Sequence, residues 1–418
     1  MTFKIITLGC KMNAYESQAL REKLLENGYQ EAKEEADCYI VNTCAVTHMA
    51  EKKDMKTVRD IQRDHPDADI FVMGCSSQLH KEMYLKIKNV KAVYGTFHKD
   101  ELAQCILKGS ETADHVNKDF RNFTFDDLSV SKGEHEARSY IKVQDGCDNF
   151  CSYCIVPYSR GRSRSRNHQN ILQELERLLE NGVKEIIIGG IDVGSYQDPH
   201  EKKPYRLTQL LEEMCEYKTD KPFRIRVSSI ECSQIDDAYI ELFRKYPDRL
   251  CPHFHIPLQS GSEPILRRMN RKYRLDDFFR MTEKVRAEIK NVALSTDVIS
   301  GFPGETEEDF KNTYDFIKKV GFMRIHAFPY SEREGTVASR IKDGIVPMNI
   351  RRERTNKLIS LGKELEEDFR KQMKGQELSV LIEGKDKEGL YQGYSENYLE
   401  FHLRSEEDIT NQFKKVKI

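Results

Sequence analysis

The chain has 418 residues, 11 of them cysteine, with 67 Lys and Arg against 69 Asp and Glu for a formal charge of −2. That length implies two or three domains rather than one core, and the balanced charge excludes a surface positive all over, so any nucleic-acid site must be regional. No apolar run of about 18 residues and no basic-then-apolar amino terminus is present, so the expectation is a cytoplasmic protein without a membrane span or secretory leader, in which an odd number of scattered cysteines favours metal ligation over disulfides.

Phe3 to Leu8 reads as a short apolar strand that passes through Gly9 and Cys10 into a helical pattern from Tyr15 to Asn27, closed by Gly28. The unit recurs twice. Cys38 to Val41 runs into Asn42-Thr43-Cys44 and a helix rich in Lys and Glu, and Ile70 to Met73 runs into Gly74-Cys75 and another helix. Residues 1–117 are therefore expected as an open parallel α/β sheet domain with a cysteine just past the carboxyl end of three strands, the edge where such sheets place their ligand crevices. The polar, irregular stretch 118–137 is expected as a linker.

Residues 138–370 alternate strands (140–143, 185–188, 223–227, 254–256, 293–299, 322–328) with amphipathic helices (169–180, 207–216, 235–244, 275–289, 306–320). Six strands in that order indicate a parallel α/β fold, a partial (β/α)6 barrel. A charged helix, 351–373, then leads to short strands at 378–382, 389–392 and 398–401, so 371–418 is expected as a small all-β domain.

Cys147-x-x-x-Cys151-x-x-Cys154 lies just after the first barrel strand. Three soft thiolates within eight residues suit an iron–sulfur cluster, and three ligands on a 4Fe-4S cube leave one iron open to a substrate or cofactor. A zinc knuckle is the competing reading, but structural zinc takes four protein ligands and the next candidate, His168, is distant. Cys10, Cys44 and Cys75 form a second candidate trio: each alone would be ordinary core filler, yet all three stand at equivalent strand ends. Cys38, Cys105, Cys215, Cys232 and Cys251 lack comparable spacing and read as packing or surface residues. His253 and His255, entering a strand, are not favoured as ligands.

Gly189-Gly190 ends the second barrel strand, where a backbone without side chains admits a close ligand and where any strand-to-loop turn also places glycine. Arg226 and Ser228 stand near the third strand end. Gly301-Phe302-Pro303-Gly304-Glu305-Thr306 follows the fifth strand and caps a helix through Thr306. Two groups of cations border the expected barrel mouth: Arg160, Arg162, Arg164 and Arg166, then Arg267, Arg268, Arg271, Lys272 and Arg274. Solvated surface is the ordinary fate of such runs, and phosphate contact is the functional one. Residues 371–418 carry eight Lys or Arg against nine Asp or Glu, so RNA contact there would fall to one face bearing Tyr391, Tyr394, Tyr398 or Phe401, for most of which core packing is the ordinary role.

The Cys147–Cys154 spacing, with Tyr153 before the last cysteine, resembles the signature of radical S-adenosylmethionine (SAM) enzymes. The resemblance implies SAM held by its amine and carboxylate on the open iron and cleaved to a 5′-deoxyadenosyl radical. It makes Gly189, Gly190, Arg226 and Ser228 candidate cofactor contacts, with the loop of Gly301, Pro303 and Gly304 beside the adenine. The stretch Thr7 to Ser17, with Asn42 to Thr47 and Met73 to Cys75, resembles the amino-terminal domain of methylthiotransferases, in which the three matching cysteines hold an auxiliary 4Fe-4S cluster. Residues 371–418 resemble the RNA-binding TRAM module.

Together these resemblances span essentially the whole chain. They imply two 4Fe-4S clusters, SAM as methyl donor and radical source, an electron donor such as flavodoxin or ferredoxin, a monomer, and a tRNA anticodon stem-loop as partner. Three branches share this plan, acting on isopentenyladenosine in tRNA, on threonylcarbamoyladenosine in tRNA, or on an aspartate of a ribosomal protein. Leu8-Gly-Cys-Lys-x-Asn-x-x-Glu-Ser17 and Asn42-Thr-Cys-Ala-Val-Thr47 look most like the threonylcarbamoyl branch, which methylthiolates C2 of adenosine 37. An iron–sulfur electron carrier with an RNA-binding tail is the non-enzymatic alternative; it accounts for six cysteines but not for the barrel and its Gly-rich loops.

Overall fold

A run such as Cys38–Thr43, buried at every position, suits the centre of a parallel sheet covered on both faces. The computed structural model describes residues 1–108, 113–117, 120, 124–133 and 137–418. Its amino-terminal part is a six-stranded sheet of β1 (Thr2–Thr7), β2 (Gln30–Glu31), β3 (Cys38–Thr43), β4 (Asp69–Gly74), β5 (Val90–Tyr94) and β6 (Ala113–His115). All neighbours are parallel, in the order β2-β1-β3-β4-β5-β6. Helices α1 (Lys11–Glu26), α2 (His48–Asp64), α3 (Cys75–Leu85) and α4 (Lys99–Lys108) flank the sheet. The first starts four residues before the predicted Tyr15, because Cys10 is extended (φ −90°, ψ 173°) and itself forms the N-cap.

Helix α1 faces two ways. Leu20 and Leu24 pack with Phe3 and Ile40 of the sheet, whereas Tyr15 and Ala19 belong to the barrel core with Ile141, Ile171 and Leu175. Of the expected linker 118–137, residues 118–119, 121–123 and 134–136 lie outside the described residues. Its described part is packed rather than free: Leu128 and Val130 are buried in the barrel core, and the Tyr15 hydroxyl donates to the Leu128 carbonyl at 2.7 Å.

The second part contains β7 (Arg138–Lys142), β8 (Gln144–Asp145), α5 (Val156–Arg160), β9 (Arg164–Ser165), α6 (His168–Glu180), β10 (Glu185–Gly189), α7 (Leu207–Cys215), β11 (Arg224–Val227), α8 (Asp237–Lys245) and β12 (His253–His255). It continues with α9 (Glu263–Arg268), α10 (Leu275–Glu288), β13 (Ala293–Ser300), α11 (Glu307–Val320), β14 (Arg324–Pro329) and α12 (Met348–Gln372). Two parallel three-stranded sheets, β7-β10-β11 and β12-β13-β14, meet where Cys251 N donates to Ile225 O and Ile230 N to His255 O. Among the described residues no pairing joins β7 to β14, so the six strands form the expected partial barrel. Ile186, Ile188, Ile225 and Val227 face the helices, which leaves Glu185, Arg224 and Arg226 on the other strand face.

The carboxyl-terminal domain is a four-stranded antiparallel sheet of β15 (Glu377–Lys385), β16 (Tyr391–Ser395), β17 (Glu400–Leu403) and β18 (Phe413–Lys417), ordered β17-β16-β15-β18. The predicted third strand begins late, at Glu400, because Tyr398 has φ 71° and sits in the preceding turn. This domain closes the amino-terminal end of the barrel strands. Arg138 at the start of β7 pairs with Glu383 at 3.0 Å, His253 at the start of β12 stacks on Tyr398 at 4.8 Å, and Leu378 and Leu399 pack on Ala293. Tyr391 is buried, and Tyr394 and Tyr398 stack on each other at 5.1 Å, in keeping with the packing role.

Candidate iron–sulfur and cofactor site

The register Thr7↔Asn42↔Met73 and Thr43↔Gly74 aligns the carboxyl ends of β1, β3 and β4, and each chain then delivers a cysteine. Cys44 and Cys75 are buried and Cys10 is exposed. Gly9 makes the approach: its φ is +104°, and a Cβ there would fall 2.6 Å from Cys44 Cβ and 2.8 Å from its Sγ. Asn13 fastens the same loops, donating to the carbonyls of Leu8 at 2.9 Å and Thr43 at 3.0 Å while its Oδ1 accepts from Cys10 Sγ at 3.6 Å. Cys44 N donates to the buried Asp54 carboxyl at 2.9 Å. Burial pushes Asp54 up to about 7 and the Cys44 thiol up to about 12.

The second trio sits on the loop between β8 and α5. Gly146 has φ +71°, and a Cβ there would lie 2.0 Å from the Arg162 carbonyl, so this turn requires glycine. Cys147 N donates to Gly161 O at 3.1 Å, Cys154 N to Cys151 O at 2.9 Å, and Ser152 N to Met269 O at 3.0 Å. Burial pushes both Cys147 and Cys154 up to about 12. Arg271 Nη1 donates to Cys151 Sγ at 3.5 Å, with its other nitrogen on Glu231 and on the Pro257 carbonyl. Asp192, held by Asn149 at 3.1 Å and Gln234 at 2.9 Å, stands next to Cys147.

Among the described residues no three His, Cys, Asp or Glu are close enough to share one metal ion. Each thiolate of a 4Fe-4S cluster takes its own iron. Buried protonated thiols of this kind exchange protons for metal. Both trios therefore have the donor chemistry for a cluster. For SAM, the Ser228 hydroxyl at the carboxyl end of β11 is buried without a hydrogen-bond partner, an orphan that a bound ligand would satisfy.

The trios belong to one interface. Ala45, Cys75 and Ile155, the residues next to Cys44 and Cys154 among them, form one buried apolar cluster. Thr96 Oγ1 donates to Ser159 O at 2.7 Å, and Met12 lies so close to Gly189 that a Cβ there would be 2.5 Å from its Cε. At Gly190 a Cβ would lie 2.9 Å from the Gln144 carbonyl. The side-chain space of both glycines is thus taken by protein. In the loop after β13, Gly301 N donates to Glu305 and Gly304 N to Gly344 O, while Arg268 Nη1 donates to the Pro303 carbonyl at 3.4 Å. Phe302 packs near Tyr153, tying that loop to the cysteine loop.

The cation groups divide sharply. Arg160 is buried on Glu16, Asp145 and Asn13; Arg166 is buried on Glu174 and Asp127; Arg164 pairs with Asp145; and Arg271 is held as above. These four are withdrawn from RNA contact because their guanidiniums are already committed inside the protein. Arg162, Arg267, Arg268, Lys272 and Arg274 remain exposed. Arg226 also leaves the cofactor set: it is paired with Glu185 and donates to the Ser395 and Glu396 carbonyls of the carboxyl-terminal domain. Sequence reasoning held Asn13 and Glu16 only as positions of the Leu8–Ser17 pattern, without a role at the site, and missed Asp145, Asp192, Glu231 and Gln234, isolated polar residues that carry no spacing signal.

The chain matches the radical SAM superfamily over residues 141–317 and an uncharacterized protein family, UPF0004, over residues 2–95. It is 36% identical over 421 residues to the threonylcarbamoyladenosine tRNA methylthiotransferase MtaB of Bacillus subtilis, covering 99% of this chain and 92% of that protein. The MtaB protein of Thermotoga maritima is 37% identical, with coverage of 95% and 90%. A tRNA-2-methylthio-N(6)-dimethylallyladenosine synthase of Petrotoga mobilis is 35% identical, with coverage of 100% and 96%. Among solved structures, the radical SAM methyltransferase TsrM of Kitasatospora setae superposes with a TM-score of 0.56 at 14% identity, covering 78% of this chain and 72% of that one, a likeness of fold. No helix of the described residues is long and apolar enough to cross a membrane.

Proposed function

Because the chain belongs to the methylthiotransferase family of radical SAM enzymes, we propose that it methylthiolates C2 of N6-threonylcarbamoyladenosine at position 37 of tRNA. SAM and 4Fe-4S clusters are the cofactors of this family; SAM supplies the methyl group and the 5′-deoxyadenosyl radical, and the auxiliary cluster holds the sulfur. The carrying observation is the packing of Cys75 on Ile155, next to Cys154, which sets the two trios on one interdomain face. Cys147, Cys151 and Cys154 hold the cluster that binds SAM, with Ser228 toward it; Cys10, Cys44 and Cys75 hold the auxiliary one. The exposed Arg162, Arg267, Arg268, Lys272 and Arg274 meet the phosphates of the anticodon stem-loop.

The threonylcarbamoyl branch is supported by the Leu8–Ser17 and Asn42–Thr47 forms and by the relatives of Bacillus subtilis and Thermotoga maritima. The Petrotoga mobilis relative, similar over the full chain, favours isopentenyladenosine as the second reading. Reconstituted enzyme, reduced by a flavodoxin- or ferredoxin-class donor, is given SAM and tRNA carrying either base, and the digested nucleosides are weighed by mass spectrometry. Methylthio-threonylcarbamoyladenosine is the expected product. A product from isopentenyladenosine alone would overturn the branch, and absence of 5′-deoxyadenosine would overturn the radical chemistry.

A further inference from the structure

Arg160 is the largest fully buried side chain of the protein's described residues, and it lies between the two cysteine trios. Its Nη1 donates to Glu16 at 2.8 Å and to Asp145 at 3.2 Å, and its Nη2 donates to Asn13 at 2.8 Å. Asn13 in turn accepts from Cys10 Sγ. On the other side, Asp145 accepts from Gly146 N at 2.8 Å, one residue before Cys147, and the carbonyl of Gly161, one residue after Arg160, accepts from Cys147 N at 3.1 Å. Two consecutive residues therefore touch both sites.

The surrounding charge is uneven. Lys99, Lys142 and Arg160 are at most 1% exposed, and so are their carboxylate partners Glu16 and Asp145, which makes three cations against two anions. Arg164 and Asp126, at 10% and 14%, add one of each sign and keep the excess. Burial lowers Lys99, but a guanidinium does not shed its proton. An uncompensated buried cation is expensive. A 4Fe-4S cluster on three thiolates is anionic and becomes more so on reduction, so it supplies the missing negative charge.

We propose that Arg160 is a positioning residue of the auxiliary cluster: its buried charge neutralises the cluster held by Cys10, Cys44 and Cys75 and, through Asp145 and Gly161, fixes that cluster relative to the Cys147 loop. The proposal rests on the assignment of an auxiliary cluster. The test is made on the full-length chain with Cys147, Cys151 and Cys154 replaced by alanine, so that one cluster is read alone. If this parent holds no iron after anaerobic reconstitution, the cluster assignment itself fails, before Arg160 is addressed.

With the parent loaded, Arg160→Met, Arg160→Gln and Arg160→Lys are compared by iron content and by redox titration followed by electron paramagnetic resonance. The neutral variants should disfavour reduction at least tenfold, about 59 mV lower for one electron, and Arg160→Lys should recover most of that. If neither neutral variant retains iron but Arg160→Lys does, the charge is shown to hold the cluster. Neutral variants with full iron and an unshifted potential, or loss of iron in Arg160→Lys as well, would overturn the proposal.

Discussion

Glu185→Gln removes a carboxylate that holds two buried arginines beneath the carboxyl-terminal domain. Glu185 accepts from Arg224 Nε at 2.6 Å and from Arg226 Nε and Nη2, each at 2.9 Å. The same guanidiniums donate onward to the carbonyls of Ser379, Tyr394, Ser395 and Glu396. Glutamine keeps the shape and one acceptor oxygen but leaves both cations without a buried counter-charge. Removing one partner of a buried pair costs about 3–5 kcal/mol, and three charge-assisted hydrogen bonds at roughly 1.5–3 kcal/mol each set an upper bracket. In a chain of several domains the loss appears as local opening of β15–β18 rather than as global unfolding. At about 1.4 kcal/mol per decade, native-state hydrogen exchange there should accelerate roughly a hundred- to a few-thousand-fold, with β3 and β4 unchanged. Acceleration of β15–β18 by only about threefold or less would refute the reasoning that this triad docks the domain.

Replacing Cys10, Cys44 and Cys75 by serine should lower iron and acid-labile sulfide from about eight to about four per chain; unchanged iron would sink the second cluster. Gly9→Ala should release the same cluster without touching a ligand, because φ +104° costs a side chain about 1–2 kcal/mol and its Cβ would strike Cys44; iron counting decides. Lys272→Gln with Arg274→Gln should weaken tRNA binding and flatten its dependence on log salt by about 1.4–1.8 if both cations meet phosphate, measured by binding at several salt concentrations. Burial, then Arg226, His255 and Arg324, against an opposing Glu185, hold His253 well below its ordinary 6.5. The folded imidazole stays neutral while the unfolded one protonates, so stability is full above about pH 6.5 and falls below it by up to about 1.4 kcal/mol per pH unit; urea titrations at pH 7 and 5.5 should differ for wild type and much less for His253→Asn.

What was legible in the sequence was what repeats or is contiguous. Cys38–Thr43 and Asp69–Gly74 announce themselves as buried parallel strands because both faces are apolar, and the cysteine at each strand end marks a shared edge. Cys147, Cys151 and Cys154 are local, so spacing alone carries them. Strand β18, Phe413-Lys-Lys-Val-Lys, escaped because none of its positions is fully buried and it pairs only as an edge. The alternating arginines 160, 162, 164 and 166 look identical in sequence. Their partners separate them: Glu16 stands 144 residues from Arg160, whereas Arg162 meets the nearby, exposed Asp148 and Phe150. No local pattern encodes that difference.

The same sorting explains how the domains are held in register. At the cysteine interface Glu16 lies between Lys142 and Arg160, and at the opposite end of the barrel Glu185 lies between Arg224 and Arg226. Buried ion pairs contribute little net stability but tolerate little displacement, because each carboxylate must satisfy two cations at once. The adhesive part is apolar: Tyr15 and Ala19 in the barrel core, Ala45 and Cys75 against Ile155, and Leu378 and Leu399 against Ala293. Apolar burial alone would allow the amino-terminal domain to slide across the barrel mouth. A carboxylate shared by two cations converts that contact into a fixed placement, and fixed placement is what the proposed division of the reaction between two cysteine trios requires.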